Sequence, residues 1–212
     1  MINTDFSMMP IHPDEMTLAE QDPEPDSPVT DDPAYCHWVT ADHHHFDHNI
    51  FDSRWAEHLH SSKVKCVMLT DLLVRHLPAQ FPQRIEVSVL WTDDQTIADI
   101  NYQFRGKFCA TNILSFPSCE QPVLNEERLF LGDLALSYET VMSEAKAAGI
   151  LEQDHIAHLV LHGLLHLAGF DHIDDDEAAE MESLETYILS QFEIADPHHD
   201  VMHVPVKVRD IP

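Results

Sequence analysis

His162-Gly163-Leu164-Leu165-His166-Leu167-Ala168-Gly169-Phe170-Asp171-His172 is the stretch that decides how this chain is read. His162 and His166 stand four residues apart in an apolar run that opens at Ile156-Ala157-His158-Leu159-Val160-Leu161. Such a run reads as a buried helix, and positions four apart lie one above the other on one face. Two imidazoles stacked in this way can reach a single cation. Gly169 comes three residues after His166, where a left-handed residue commonly ends a helix. The chain can then turn through Phe170 and Asp171 and bring back His172 as a third ligand. Three protein ligands leave one position of a tetrahedral ion for water or substrate, the arrangement of a catalytic zinc site.

Metzincin proteases carry a comparable pattern, H-E-x-x-H-x-x-G-x-x-H. The three histidines and the glycine fall here at the same offsets, but Gly163 stands where the protease has its general base. The metal scaffold is present and the peptidase base is not. His158 also lies on the ligand face, yet His158 to His166 spans about 12 Å of helix at 1.5 Å per residue. Side chains along one straight helix do not converge on one ion over that length, so His172 is the expected third ligand. His155 and His158 are expected to serve packing or hydrogen bonding. Asp171 has two readings left open, a hydrogen bond to a ligand imidazole or a bond to its own turn.

His162-Gly163 through His172 resembles the H-G-x-L-H-L-x-G-[YF]-D-H signature of the YbeY endoribonucleases, the bacterial rRNA maturation factors. Two further blocks are similar to that family. One is Phe104-Arg105-Gly106-Lys107 followed by Thr111-Asn112-Ile113-Leu114-Ser115-Phe116-Pro117, and the other is Leu131-Gly132-Asp133-Leu134. The resemblance runs in order from about Val64 to about Phe192 and departs at Phe108-Cys109-Ala110, where the family usually has D-x-P. It implies a compact α+β fold with a histidine helix packed on a small mixed sheet. It also implies a zinc-dependent, single-strand-specific endoribonuclease acting in maturation of the 16S rRNA 3′ end and in ribosome quality control. His162, His166 and His172 would hold one Zn2+ per chain. Arg105 would lie in the active-site cleft, where its planar fork suits a phosphate gaining charge, and Lys107 would bind substrate. Expected partners are single-stranded RNA and the ribosome or small-subunit assembly proteins, a GTPase among them. Ser115 and Asp133 match family positions but read as a strand residue and a turn former. Two rivals remain on the residues alone: a metallohydrolase of another class, such as a peptidase with a distant base, and a non-catalytic zinc-binding ribosome assembly factor.

The 212 residues carry 11 Lys and Arg against 38 Asp and Glu, a formal net charge of -27. That balance argues against a broad RNA-binding surface, because phosphate contacts supply much of such affinity. It allows a small basic patch beside a metal ion, which cancels charge where a phosphate sits. Cys36, Cys66, Cys109 and Cys119 show no C-x-x-C pair and read as free thiols. The start Met1-Ile2-Asn3-Thr4-Asp5 lacks the basic and apolar regions of a signal peptide, and no apolar run approaches membrane-spanning length. A cytoplasmic protein is expected.

Along the chain, residues 1–55 read as an acidic, Pro- and His-rich extension, disordered to about Thr40, with His43-His44-His45-Phe46-Asp47-His48 as a solvated patch. Residues 56–195 read as the catalytic domain and 196–212 as a tail. Trp55 to Leu77 has helical spacing, with Ser61-Ser62 as an alternative start. Ile85 to Trp91 alternates as a strand. Gln95 to Phe104 is a helix with Ile97, Ile100 and Phe104 inward. Asn112 to Phe116 is a strand, Glu120 to Arg128 a loop, and Leu129 to Ser137 a strand interrupted at Gly132-Asp133. Three helices follow, Tyr138 to Ala148, Glu152 to Ala168 and Asp174 to Phe192, the last started by its acidic N-terminal run.

Overall fold

The alternating run Ile85-Glu86-Val87-Ser88-Val89-Leu90-Trp91 forms the middle of a five-stranded sheet. A computed structural model describes residues 35–40, 44–77, 84–118, 128–172 and 174–197. In chain order the elements are β1 (Tyr35–Val39), β2 (His45–Ile50), α1 (Trp55–Val74), β3 (Ile85–Thr92), α2 (Asp94–Arg105), β4 (Ile113–Pro117), β5 (Leu129–Ser137), α3 (Tyr138–Ala148), α4 (Glu152–Leu167) and α5 (Asp175–Ser190). The strands lie in the order β1-β2-β3-β5-β4. β2, β3 and β5 run parallel, and β1 and β4 close the two edges antiparallel. The fold is α+β with a mixed sheet, as expected.

Successive side chains on a strand point to opposite faces. On β3, Ile85, Val87, Val89 and Trp91 are buried, in one cluster with Leu69 and Leu73 of α1, Ile156, Leu161 and Leu165 of α4, and Ile188 and Leu189 of α5. The opposite face is covered by α2, whose Ile97 joins Leu114 of β4 and Ala135 of β5 in a separate small cluster. Helix α4 lies against β4 and β5 because Gly163 offers no side chain there. A Cβ at that position would stand 2.7 Å from both Ile113 Cδ1 and Leu134 Cδ2. A glutamate, as in the protease motif, would force the ends of both side chains aside.

Strand β5 is continuous where the sequence suggests an interruption. Its register against β3 jumps from Glu86↔Phe130 to Val87↔Gly132, so Leu131 is the extra residue of a bulge. Gly132 (φ +138°) passes so close to β4 that a Cβ would lie 2.1 Å from the Phe116 carbonyl oxygen. Glycine is required by the bulge rather than ending the strand. Helix α1 is likewise one piece: Ser61 and Ser62 donate to the His58 carbonyl within it, at 2.9 and 2.8 Å.

The main correction concerns residues 35–50. They were expected within a disordered or solvated extension, yet Tyr35–Val39 and His45–Ile50 are strands of the sheet. His44 and His48 are each 1% exposed. His48 Nδ1 accepts from Trp91 Nε1 at 2.8 Å, and its ring centroid lies 3.9 Å from that of Trp38. Phe46 and His48 point inward while Asp47 and Asn49 face solvent. The strand alternation is present, but a histidine fills an apolar place and hides it. Residues 1–34 and 198–212, read as extension and tail, lie outside the described residues, as do 120–127 of the expected loop.

Candidate active site

Helix α4 ends as its glycine suggested. Gly169 adopts φ +93°, the Gly169 N–H donates to the His166 carbonyl, and the Phe170 N–H donates to the Leu165 carbonyl, each at 3.0 Å. These bonds satisfy carbonyls that a helix end leaves open. Asp171 then settles its two readings in favour of the turn, since its Oδ1 accepts from the His172 backbone N–H at 2.7 Å. The turn returns His172 to the helix, with ring centroids 5.0 Å from His166 and 6.0 Å from His162. One ring nitrogen from each of the three histidines lies within 4.8 Å of the others.

The hydrogen bonds behind these rings decide what they can hold. His166 Nδ1 lies 3.1 Å from the Phe170 carbonyl oxygen, which can only accept, so Nδ1 carries the proton. His162 Nδ1 lies 3.1 Å from Oε1 of Glu185, a residue 1% exposed. Burial pushes the Glu185 carboxyl up, but hydrogen bonds from His158 and His162 outweigh it and hold the group far below the usual carboxylate range. Glu185 is therefore an anion and an acceptor, and His162 also carries its proton on Nδ1. Both Nε2 lone pairs then face each other across 3.2 Å. Only a shared proton or a cation reconciles them. Burial, with His162 and His172 nearby, pushes the His166 pKa down and disfavours the proton. The separation also matches the ~3.3 Å edge of a tetrahedron with metal–nitrogen bonds of about 2.0–2.1 Å. The three histidines fit a metal ion.

His158 and His155 have other partners, as expected. His158 Nε2 lies 3.4 Å from Glu185 Oε1, and His155 Nε2 lies 2.9 Å from Glu144 Oε2. His158, His162 and Glu185 also stand at metal-ligand spacing, but their contacts are the hydrogen bonds just described. Sequence reasoning missed Glu185. The signal was available: it shares the buried face of α5 with Met181, Ile188 and Leu189, and a carboxylate there needs a partner.

The histidines open into a cleft of about 760 Å³ whose wall includes Arg105, Asn112, Ser115, His158 and Phe170. Arg105 arrives from the far side as the last residue of α2, with Gly106 capping that helix at φ +68°. Lys107 is exposed and is not part of the cleft wall. Asp133 is also outside the wall. Burial raises its pKa against a hydrogen bond with Ser88 on the neighbouring strand.

A family profile described as endoribonuclease YbeY matches residues 53–193, from just after β2 to just beyond α5. A protein of Paramagnetospirillum magneticum is 40% identical over 148 residues, 68% of this chain and 89% of its own length. One of Bartonella quintana is 45% identical over 116 residues, 55% of this chain and 73% of its own. One of Agrobacterium fabrum is 43% identical over 129 residues, 60% of this chain and 77% of its own. All three bear the name Endoribonuclease YbeY. The profile spans well over half of the chain, and the chain belongs to the endoribonuclease YbeY family.

Proposed function

We propose that this chain is a zinc-dependent endoribonuclease that cuts single-stranded RNA in 16S rRNA 3′-end maturation and ribosome quality control. The observation that carries the reading is the approach of His162 Nε2 and His166 Nε2 to 3.2 Å in a cleft that also holds Arg105. Zinc held by His162, His166 and His172 would supply a Lewis acid for a phosphoryl oxygen and activate a water. Glu185 and the Phe170 carbonyl keep the two Nδ1 protons in place, so each Nε2 stays available. The Arg105 guanidinium presents a planar pair of donors to two phosphoryl oxygens and stabilises charge as it develops. Ile113, Leu159 and Phe170 supply apolar wall that limits water around the reacting phosphate. Lys107 stands two residues from Arg105 and meets the strand outside the cleft.

Residues 56–195 form the catalytic domain in this reading, with β1 and β2 added to its sheet. No described helix is long and apolar enough to cross a membrane, and the working compartment is the cytoplasm. The ribosome, small-subunit assembly proteins and a GTPase are the partners. The test is incubation of metal-loaded protein with end-labelled single-stranded and duplex RNA, beside a His162→Ala control. The single strand should be cut, the duplex spared and the variant inactive. Ribosome binding without any RNA cleavage would instead make the chain a non-catalytic assembly factor.

A further inference from the structure

Three exposed large apolar side chains of the described residues lie within seven positions of one another: Tyr102 (58% exposed), Phe104 (48%) and Phe108 (65%). Arg105 and Lys107 stand among them. In so acidic a chain most cations would be expected to be neutralised locally, and Arg54, Lys65 and Arg128 each lie against a carboxylate. Among the described residues, Arg105 and Lys107 have no carboxylate within ion-pair distance. Two uncompensated cations interleaved with exposed aromatic rings, one of them in the cleft wall, form a surface of definite chemistry.

We propose that Tyr102 and Phe108 are a stacking platform for unpaired bases of the RNA strand entering the cleft, with Arg105 and Lys107 on its phosphates. The proposal rests on the ribonuclease reading above and names the surface that recognises the strand. The two rings meet edge to face, with centroids 6.1 Å apart and planes at 83°. That arrangement supports each ring and leaves much of both surfaces to solvent. The loop is also held in advance of binding. Gly106 turns it through a left-handed conformation, and Asn101 Nδ2 donates to the Cys109 carbonyl at 2.9 Å, just beyond Phe108. A platform ordered before binding loses little entropy when a base arrives. Phe104 is anchored differently, against Phe116 of β4 at 4.8 Å, and serves as support. Every base has a π-face, so such a platform tolerates any sequence, but a base inside a duplex is already stacked and cannot reach it. Selection for single strands thus resides on this surface as well as at the reacting phosphate.

The test compares full-length wild type with Phe108→Ala, Tyr102→Ala and Phe108→Trp. One probe is a single-stranded RNA decamer carrying 2-aminopurine; the other is a decamer of the same length with abasic positions. Far-ultraviolet circular dichroism and metal content check folding. Stacking of one base is worth about a 5- to 150-fold change in affinity. Each alanine variant should raise KM for the normal decamer by that factor with kcat within about twofold. Both should lose 2-aminopurine quenching and bind the abasic decamer like the wild type. Phe108→Trp should restore affinity and quenching. Unchanged KM and quenching in both alanine variants would overturn the platform while leaving the ribonuclease reading intact. A wild type that neither binds nor cuts the decamer would overturn both. Sedimentation showing a dimer that Phe108→Ala dissociates, with RNA binding unaffected, would assign the rings to a second copy of the chain.

Discussion

Arg105 lines the cleft and Glu185 is buried behind the His162 ring, and each gives a measurable expectation. Arg105 is an exposed residue at a helix end, so Arg105→Ala should leave fold and metal content unchanged. Cleavage should fall by about 10²- to 10³-fold, the usual cost of losing one donor to developing charge. Arg105→Lys should recover little, since an ammonium cannot reproduce the fork. Single-turnover cleavage beside elemental analysis decides this, and undiminished cleavage in Arg105→Ala removes the residue from the mechanism. Glu185→Ala leaves His162 without the acceptor that holds its Nδ1 proton. Metal affinity should drop about 10- to 100-fold, measured by competition with a chelating dye. His158→Ala should keep one metal per chain, whereas His166→Ala should lose it.

Between elements, Asp94 is the link with a definite pH signature. It stands in the first turn of α2 and accepts from Ser137 Oγ at 2.5 Å, Thr140 Oγ1 at 2.6 Å and the Thr140 N–H at 3.2 Å, tying α2 to the start of α3. Burial pushes its carboxyl up, but the Ser137 and Thr140 bonds outweigh that and lower its pKa. A depressed folded pKa means the unfolded chain binds the proton first as pH falls. The stabilisation is therefore complete above the unfolded carboxylate pKa of about 3.9 and is lost as pH falls through the lower folded value. Asp94→Ala should cost about 1.5–3 kcal/mol at pH 7, the range for hydrogen bonds to a charged group. Urea unfolding at a series of pH values should show wild type and variant converging below about pH 4. A constant difference at all pH values would mean that the charge contributes nothing.

Over the whole molecule, charge and the sheet edge separate the two halves of the N-terminal region. Residues 1–34 hold nine of the 38 acidic residues and none of the 11 basic ones. Deleting them should tighten single-stranded RNA binding at low salt, and the gain should shrink as salt screens the repulsion. Anisotropy titrations at two salt concentrations test this, and weaker binding after deletion would show that the segment contacts RNA. Deletion through Thr40 goes further, because it removes β1 and Trp38, which is 4% exposed. Losing a buried tryptophan costs about 3–5 kcal/mol. The longer deletion should melt about 6–20 °C below the shorter one.

The sequence by itself determined what depends on spacing along one element. His162, His166, Gly169 and His172 are local to one helix and its cap, so the grouping of the three histidines, the helix end and the returning turn were all readable from offsets of three and four. The β3 alternation and the missing base at Gly163 were readable for the same reason. Tertiary structure decided whatever depends on which residues meet. Glu185 lies 23 positions from His162, and only the packing of α5 on α4 makes it the acceptor for that imidazole. Arg105 joins the histidines because α2 ends across the cleft from α4. Residues 35–50 were misread because β2 earns its place by pairing with β3 and by His48 meeting Trp91, and neither partner is near in sequence. A histidine carries no fixed polarity of its own: with a donor and a tryptophan ring supplied by distant strands, it packs as a core residue.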